Sequence, residues 1–247
     1  FLRKPVGRRS YVKGEYRIET VEIEAESDTT QAFKDEEDEY LRSALSLNYV
    51  YDSRDSNQLP RRGHKVDLGL IYAGGLLAGD IDTITFTGSG TKHWSLPFDA
   101  ILTARGSFAV VDSHGDNDHI PIFERQFLGG ARDLRGFDFR NIGPRDDIGP
   151  NPTQEVLGGA TSVFGSLELT FPVIGQVRGA VFYDAGFVNL DSWDFNTGRL
   201  ASDIGVGVRL NLPGIGPLAV DFAVPVETPD EQADDGSQIQ FYMDYQF

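Results

Sequence analysis

From Tyr11 to the last residue, apolar side chains recur at every second position in one segment after another, and no other feature constrains the fold as strongly. Leu41, Leu45, Leu47, Tyr49 and Tyr51 share one parity, opposed by Arg42, Ser46, Asn48 and Asp52. The same holds for Val163, Leu167, Leu169 and Phe171 against Ser162, Ser166, Glu168 and Thr170, and for Ile204, Val206, Val208, Leu210 and Leu212 against Asp203, Gly205, Gly207, Arg209 and Asn211. An extended chain sends successive side chains to opposite faces, so this period of two predicts half-buried strands. Ten such segments are read, near 11–23, 41–51, 65–72, 80–88, 99–111, 163–171, 177–187, 204–212, 218–224 and 239–247. No helical period of comparable length competes, and the fold class expected is all-β and antiparallel.

Alternation alone suits a soluble sandwich or a transmembrane barrel, whose signal is segments of about ten residues alternating in polarity. Two features favour the barrel. Arg178, Asp184, Arg209 and Asp221 lie mid-strand on the polar face, where a dry sandwich core could not take them. The final segment carries Ile239, Phe241, Met243, Tyr245 and Phe247 on one face, and a bare apolar edge strand is an aggregation hazard in water. No window reaches the ~20 apolar residues of a membrane-spanning helix.

Charge and motif content narrow the function classes. With 38 acidic against 22 basic residues the chain lacks the net basic character on which nucleic-acid binding depends. It has no cysteine, hence no thiolate metal site or disulfide framework. There is no nucleophile elbow and no phosphate-loop lysine, so no enzyme and no cofactor is expected. The run from Asp112 to His119 matches a calcium loop only loosely and is read as a polar loop tip. His64 and His93 are placed in turns, and the acidic run from Lys34 to Glu39 is read as an exposed loop. Trp94 and Trp193 suit either membrane-interface aromatics or turn packing.

Between the fifth and sixth segments runs a long connection, 112–159, whose middle reads FLGGARDLRGFDFRNIGP from Phe127 to Pro144. Its paired glycines, Gly129 and Gly130, and its regular aromatics argue for an ordered loop, since disordered stretches are poor in aromatics. On the residues alone, Arg135-Gly136-Phe137 is a surface turn. Parity independently puts Glu168 and Asp184 on the same face of neighbouring strands.

The turn SRDSNQLPRRG, the loop GGARDLRGFDFRNIGP, SLELTFP at 166–172, VFYDAG at 181–186, GVGVRLNLPGIGPLAVDFAVP and the terminal aromatic strand occur in an order that resembles the BamA-type family of outer-membrane protein assembly factors. The resemblance covers nearly everything from Leu41 onward. It implies that residues 1–247 form the C-terminal portion of a sixteen-stranded barrel in a bacterial outer membrane, with further strands and periplasmic domains upstream. It implies a loop folded into the lumen, where Arg135 bridges Glu168 and Asp184 while Gly136 allows a tight bend and Phe137 packs beneath. Asp133, Arg132 and Arg140 are taken as solvated loop charges. The implied partners are the lipid bilayer, unfolded outer-membrane protein clients and accessory lipoproteins. The implied activity is insertion of barrels through a seam at the strand carrying Ile239, Phe241, Met243, Tyr245 and Phe247, which lacks the glycine common there. The alternatives are a secretion or translocation pore of the same superfamily and a passive porin.

Overall fold

Each alternating segment becomes a strand, and each strand pairs with the next in sequence. In a computed structural model, which describes residues 1–25, 29–57, 59–115, 119–146, 155–212, 216–229 and 236–243, one antiparallel sheet holds eleven strands in the order β1 to β11. They are β1 (Leu2–Pro5), β2 (Ser10–Glu22), β3 (Glu39–Asp52), β4 (Gly63–Ala73), β5 (Thr83–Ser95), β6 (Ile101–Ser113), β7 (Thr161–Ile174), β8 (Val177–Asn189), β9 (Ala201–Leu212), β10 (Gly216–Glu227) and β11 (Gln238–Met243). The strand beyond the ten of the alternation is β1, paired with Tyr11 to Gly14 of β2. All of its side chains are exposed, so no burial pattern marks it in the sequence.

The two faces invert the usual rule for a protein in water. Leu45, Leu47, Leu167, Val181, Ile204 and Val206 are 41–56% exposed, whereas Glu168, Asp184, Arg209 and Asp221 are at most 6% exposed. A two-layer sandwich would bury the first set against a second sheet. Here a single sheet turns it outward, as a wall facing hydrocarbon must, and encloses the charges on the inside.

Strand β5 extends seven residues past the predicted end at Gly88, because Gly88, Ser89, Gly90 and Thr91 pair with β6 without an apolar alternation to announce it. His93 is therefore in a strand, buried against the Thr103 hydroxyl at 3.0 Å, and His64 lies in β4, stacked on Tyr51. The expectation that both histidines sit in turns is corrected. Trp94 points outward near one end of the sheet. Trp193, in the β8–β9 connection, is tilted against Phe86 and donates to Asp112.

The run from Lys34 to Glu39 is also not a plain exposed loop. Gln31–Lys34 form a single helical turn, α1, capped by Thr30. Glu36 is buried and accepts hydrogen bonds from the Ile122 N–H (2.7 Å) and from Arg125 (3.4 Å). Thr29 and the Thr30 N–H donate to Glu155, and the Thr30 hydroxyl to Asp146, so the β2–β3 connection is tied to the β6–β7 connection. His114 stacks on Tyr72 and bonds the Ala73 carbonyl. Residues 116–118 of the candidate calcium loop lie outside the described residues, and no cluster of metal ligands occurs among the described ones.

Candidate functional site

The connection between β6 and β7 turns back over the inner face of the sheet, and its sequence shows how. Gly129 and Gly130 have φ of 109° and 110°, which side-chain-bearing residues rarely adopt. Leu128 and Ile142 form a short bridge that closes the loop on itself. Asp133 accepts from the Gly129 N–H (2.7 Å) and the Leu134 N–H (2.8 Å), an internal brace that corrects its reading as a solvated charge. Burial pushes its carboxyl above the usual carboxylate range, against those two N–H groups. Arg140 lies over the Phe127 ring at 3.8 Å and, like Arg132, is exposed, as read for a solvated loop charge.

Two side chains leave this braced loop for the wall. Phe137 is fully buried among Leu128, Leu134, Ile142, Phe164, Val188 and Ala201. Arg135, also fully buried, reaches the charged face. Its Nε and Nη2 donate to Asp184 Oδ2 (2.7 Å) and Oδ1 (2.9 Å), a bidentate fork. Its Nη1 donates to Glu168 Oε2 (2.6 Å) and Asp221 Oδ2 (3.1 Å), and Nη2 also reaches the Ser166 hydroxyl (3.4 Å). The five N–H groups of a guanidinium thus all meet oxygens. Beneath it lies the Phe182 ring, 3.3 Å from Cζ to the centroid, so the aromatic floor comes from β8 and not from Phe137.

A second arginine completes the cluster. Arg209 of β9 donates from Nη2 to Glu168 (2.7 Å) and to Asp221 Oδ2 (3.0 Å), and from Nη1 to Asp221 Oδ1. The Tyr242 hydroxyl of β11 donates to Asp221 Oδ2 (2.9 Å). Sequence reasoning placed Arg209 and Asp221 on the inner face but did not join them to Arg135. The parity that selected Glu168 and Asp184 would have selected them too. Asp203, directly opposite Asp184 across β8 and β9, is buried with neither carboxylate oxygen hydrogen-bonded.

Glycines explain how so many groups fit. Gly205 faces Phe182 and Gly207 faces Asp221 across their strand pairs. A Cβ on Gly205 would overlap the Phe182 ring, and one on Gly207 would overlap the Asp221 carboxylate. Gly136 likewise serves close approach, because a Cβ there would lie 2.5 Å from Asp203 Cβ and 3.2 Å from the Pro225 nitrogen. The tight bend expected there is present, with the Phe137 N–H closing a turn on the Leu134 carbonyl (3.2 Å), although the φ of Gly136 is not in the left-handed region. Gly207→Ala is expected to push Asp221 off Arg209 and cost about 1–3 kcal/mol, the range for overpacking. A denaturant midpoint unchanged from that of the parent protein would refute this account of Gly207.

At the terminal strand, Ile239, Phe241 and Met243 point outward and are 50–72% exposed, while Gln240 and Tyr242 point in. Tyr245 and Phe247 lie outside the described residues. Burying two guanidiniums and several carboxylates is a poor way to gain stability, but removing one member strands its partners. Through Arg135 the cluster joins the loop to β7, β8 and β10.

The Omp85 superfamily domain matches residues 1–247. The outer membrane protein assembly factor BamA of Nitratidesulfovibrio vulgaris is 27% identical over 248 residues, spanning 97% of this chain and 30% of that protein. The human sorting and assembly machinery component 50 homolog is 30% identical over 224 residues, spanning 82% of this chain and 46% of that protein. Among solved structures, BamA from Haemophilus ducreyi lacking POTRA domains 1–3 superposes with a TM-score of 0.77 at 22% identity, over 97% of this chain and 53% of that one. CdiB from Acinetobacter baumannii does so with a TM-score of 0.53 at 16% identity, over 83% and 34%. The chain thus spans less than half the length of the two relatives matched by sequence.

Proposed function

Since this chain belongs to the Omp85 superfamily, we propose that it is the C-terminal part of an outer-membrane barrel that folds and inserts other β-barrel proteins. The observation that carries this reading is sequence similarity to a named assembly factor over 97% of the chain, on a sheet that turns apolar side chains outward and charges inward. A bacterial outer membrane is the proposed location, with unfolded barrel proteins as clients and lipoproteins as accessory subunits. The loop between β6 and β7 is proposed to occupy the lumen, with Arg135 as its anchor to Glu168, Asp184 and Asp221.

The insertion step is proposed to use β11, which pairs with β10, as one lip of a seam whose opening would free a strand edge. An unpaired strand edge presents a row of N–H and C=O groups on which an incoming strand can add, with backbone hydrogen bonds supplying affinity. Transferring a client strand from water to that edge satisfies its backbone before it meets lipid, where an unpaired polar group costs several kcal/mol. No bond is made or broken, so the role is catalysis of folding without an active-site nucleophile.

Reconstitution of the intact protein in liposomes tests the proposal. Urea-unfolded client barrels are expected to fold faster with the protein than in empty liposomes or in liposomes holding an unrelated porin. Equal rates in all three would sink the assembly reading. The likeness to CdiB favours, as a second reading, a translocation pore of the same superfamily, which would move substrate into the vesicle interior without inserting it.

A further inference from the structure

Strand β11 is held at its inner face by contacts that lead straight to the arginine loop. Its backbone pairs with β10 over six residues, and its outward side chains offer only apolar surface. Inward, the Tyr242 hydroxyl ends on Asp221 Oδ2, the same oxygen that receives Arg135 Nη1 and Arg209 Nη2. The Gln240 side-chain amide donates to the Phe137 carbonyl at 3.4 Å, two residues along the loop from Arg135. The Gln240 contact therefore depends on where the loop stands, and the Tyr242 contact ends on a carboxylate that Arg135 shares with Arg209, whose guanidinium also lies 5.9 Å from the Tyr242 ring. If Arg135 withdraws, the Phe137 carbonyl moves with it and Gln240 loses its acceptor, while Asp221 is left to Arg209 alone and can turn from the tyrosine.

We propose that Tyr242 and Gln240 couple the loop anchor to the terminal strand, so that β11 stays closed while Arg135 is seated and loosens when it is not. This deepens the assembly reading above, on which it rests, by assigning the positioning residues that link the loop to the seam. The strand needs no glycine hinge in this scheme, because the hold on it is released from the lumen side.

Hydrogen exchange by mass spectrometry on the intact protein in lipid nanodiscs tests this without any client. Tyr242→Phe removes one hydroxyl and keeps the ring. It is expected to speed exchange of the 238–243 amides about tenfold or more, as loss of a hydrogen bond to a charged group does, with β7 and β8 unchanged. Arg135→Lys keeps the charge but not the fork, and is expected to speed the same amides. Combined, the two changes should give little more than the larger single effect, because coupled contacts are not additive. Exchange of 238–243 that ignores Arg135→Lys while residues 126–144 loosen would overturn the coupling, as would effects that simply multiply. Exchange linkage in a protein that does not speed client folding would overturn the assembly reading and leave the linkage standing.

Discussion

Arg135→Ala is expected to free the β6–β7 loop from the wall and abolish most of the folding activity, a larger effect than any other single polar change in the cluster. The burden falls unevenly on its partners. Glu168 and Asp221 each keep Arg209. Asp184 loses both members of its bidentate pair and is left facing Asp203 across the strand. Removing one partner of a buried ion pair costs about 3–5 kcal/mol, because the survivor is stranded out of water. Since each 1.4 kcal/mol is tenfold, protection of residues 126–144 against exchange should fall on the order of 10²–10³-fold. Two further changes separate charge from geometry. Arg135→Lys should be intermediate, because an ammonium cannot form the two-pronged contact with Asp184. Adding Asp184→Asn to Arg135→Ala should restore part of the loss by removing the stranded charge. A double variant no better than Arg135→Ala would show that Asp184 is not the group left in distress, and normal loop protection in Arg135→Ala would overturn the anchor altogether.

The second large effect is expected from Phe137→Ala, for a different reason. Phe137 leaves the same loop two residues later, and its ring fills a fully buried cluster with Leu128, Leu134, Ile142, Phe164, Val188 and Ala201. Truncating a buried phenylalanine to alanine costs about 3–5 kcal/mol through lost transfer free energy and the cavity left behind. The guanidinium contacts do not involve the ring, and Gln240 meets only the Phe137 backbone carbonyl. Phe137→Ala should therefore lower the denaturant midpoint of the barrel as strongly as Arg135→Ala loosens the loop, yet leave exchange of 238–243 far less affected. Phe137→Leu should recover most of the midpoint, since it refills most of the volume. If Phe137→Ala leaves the midpoint in place, the cluster is not what seats the loop, and the arginine holds it alone.

These expectations differ in how far they were legible in the residues. Which face each strand turns inward could be read directly, since alternation is a property of the extended backbone itself and needs no knowledge of neighbours. Glu168, Asp184, Arg209 and Asp221 all share the inner parity for that reason. The need for Gly205 and Gly207 could not be read, because a glycine in a strand shows its purpose only when Phe182 and Asp221 are seen opposite it. Glu36 looked solvated within an acidic run, yet it is buried by a loop 86 residues away that brings the Ile122 N–H to it. Strand β1, exposed on all sides, leaves no hydrophobic signature to find.

The sequence by itself determined the strand period, the inward and outward faces and the loop that carries Arg135, since each follows from local backbone geometry or from a contiguous motif. Only the tertiary structure decided that Arg135 sits on Phe182 among three carboxylates shared with Arg209, and that β11 reaches the same cluster through Tyr242. Those contacts join residues up to 86 positions apart, and inter-strand register together with the path of an inserted loop, rather than any local preference, sets which distant side chains meet.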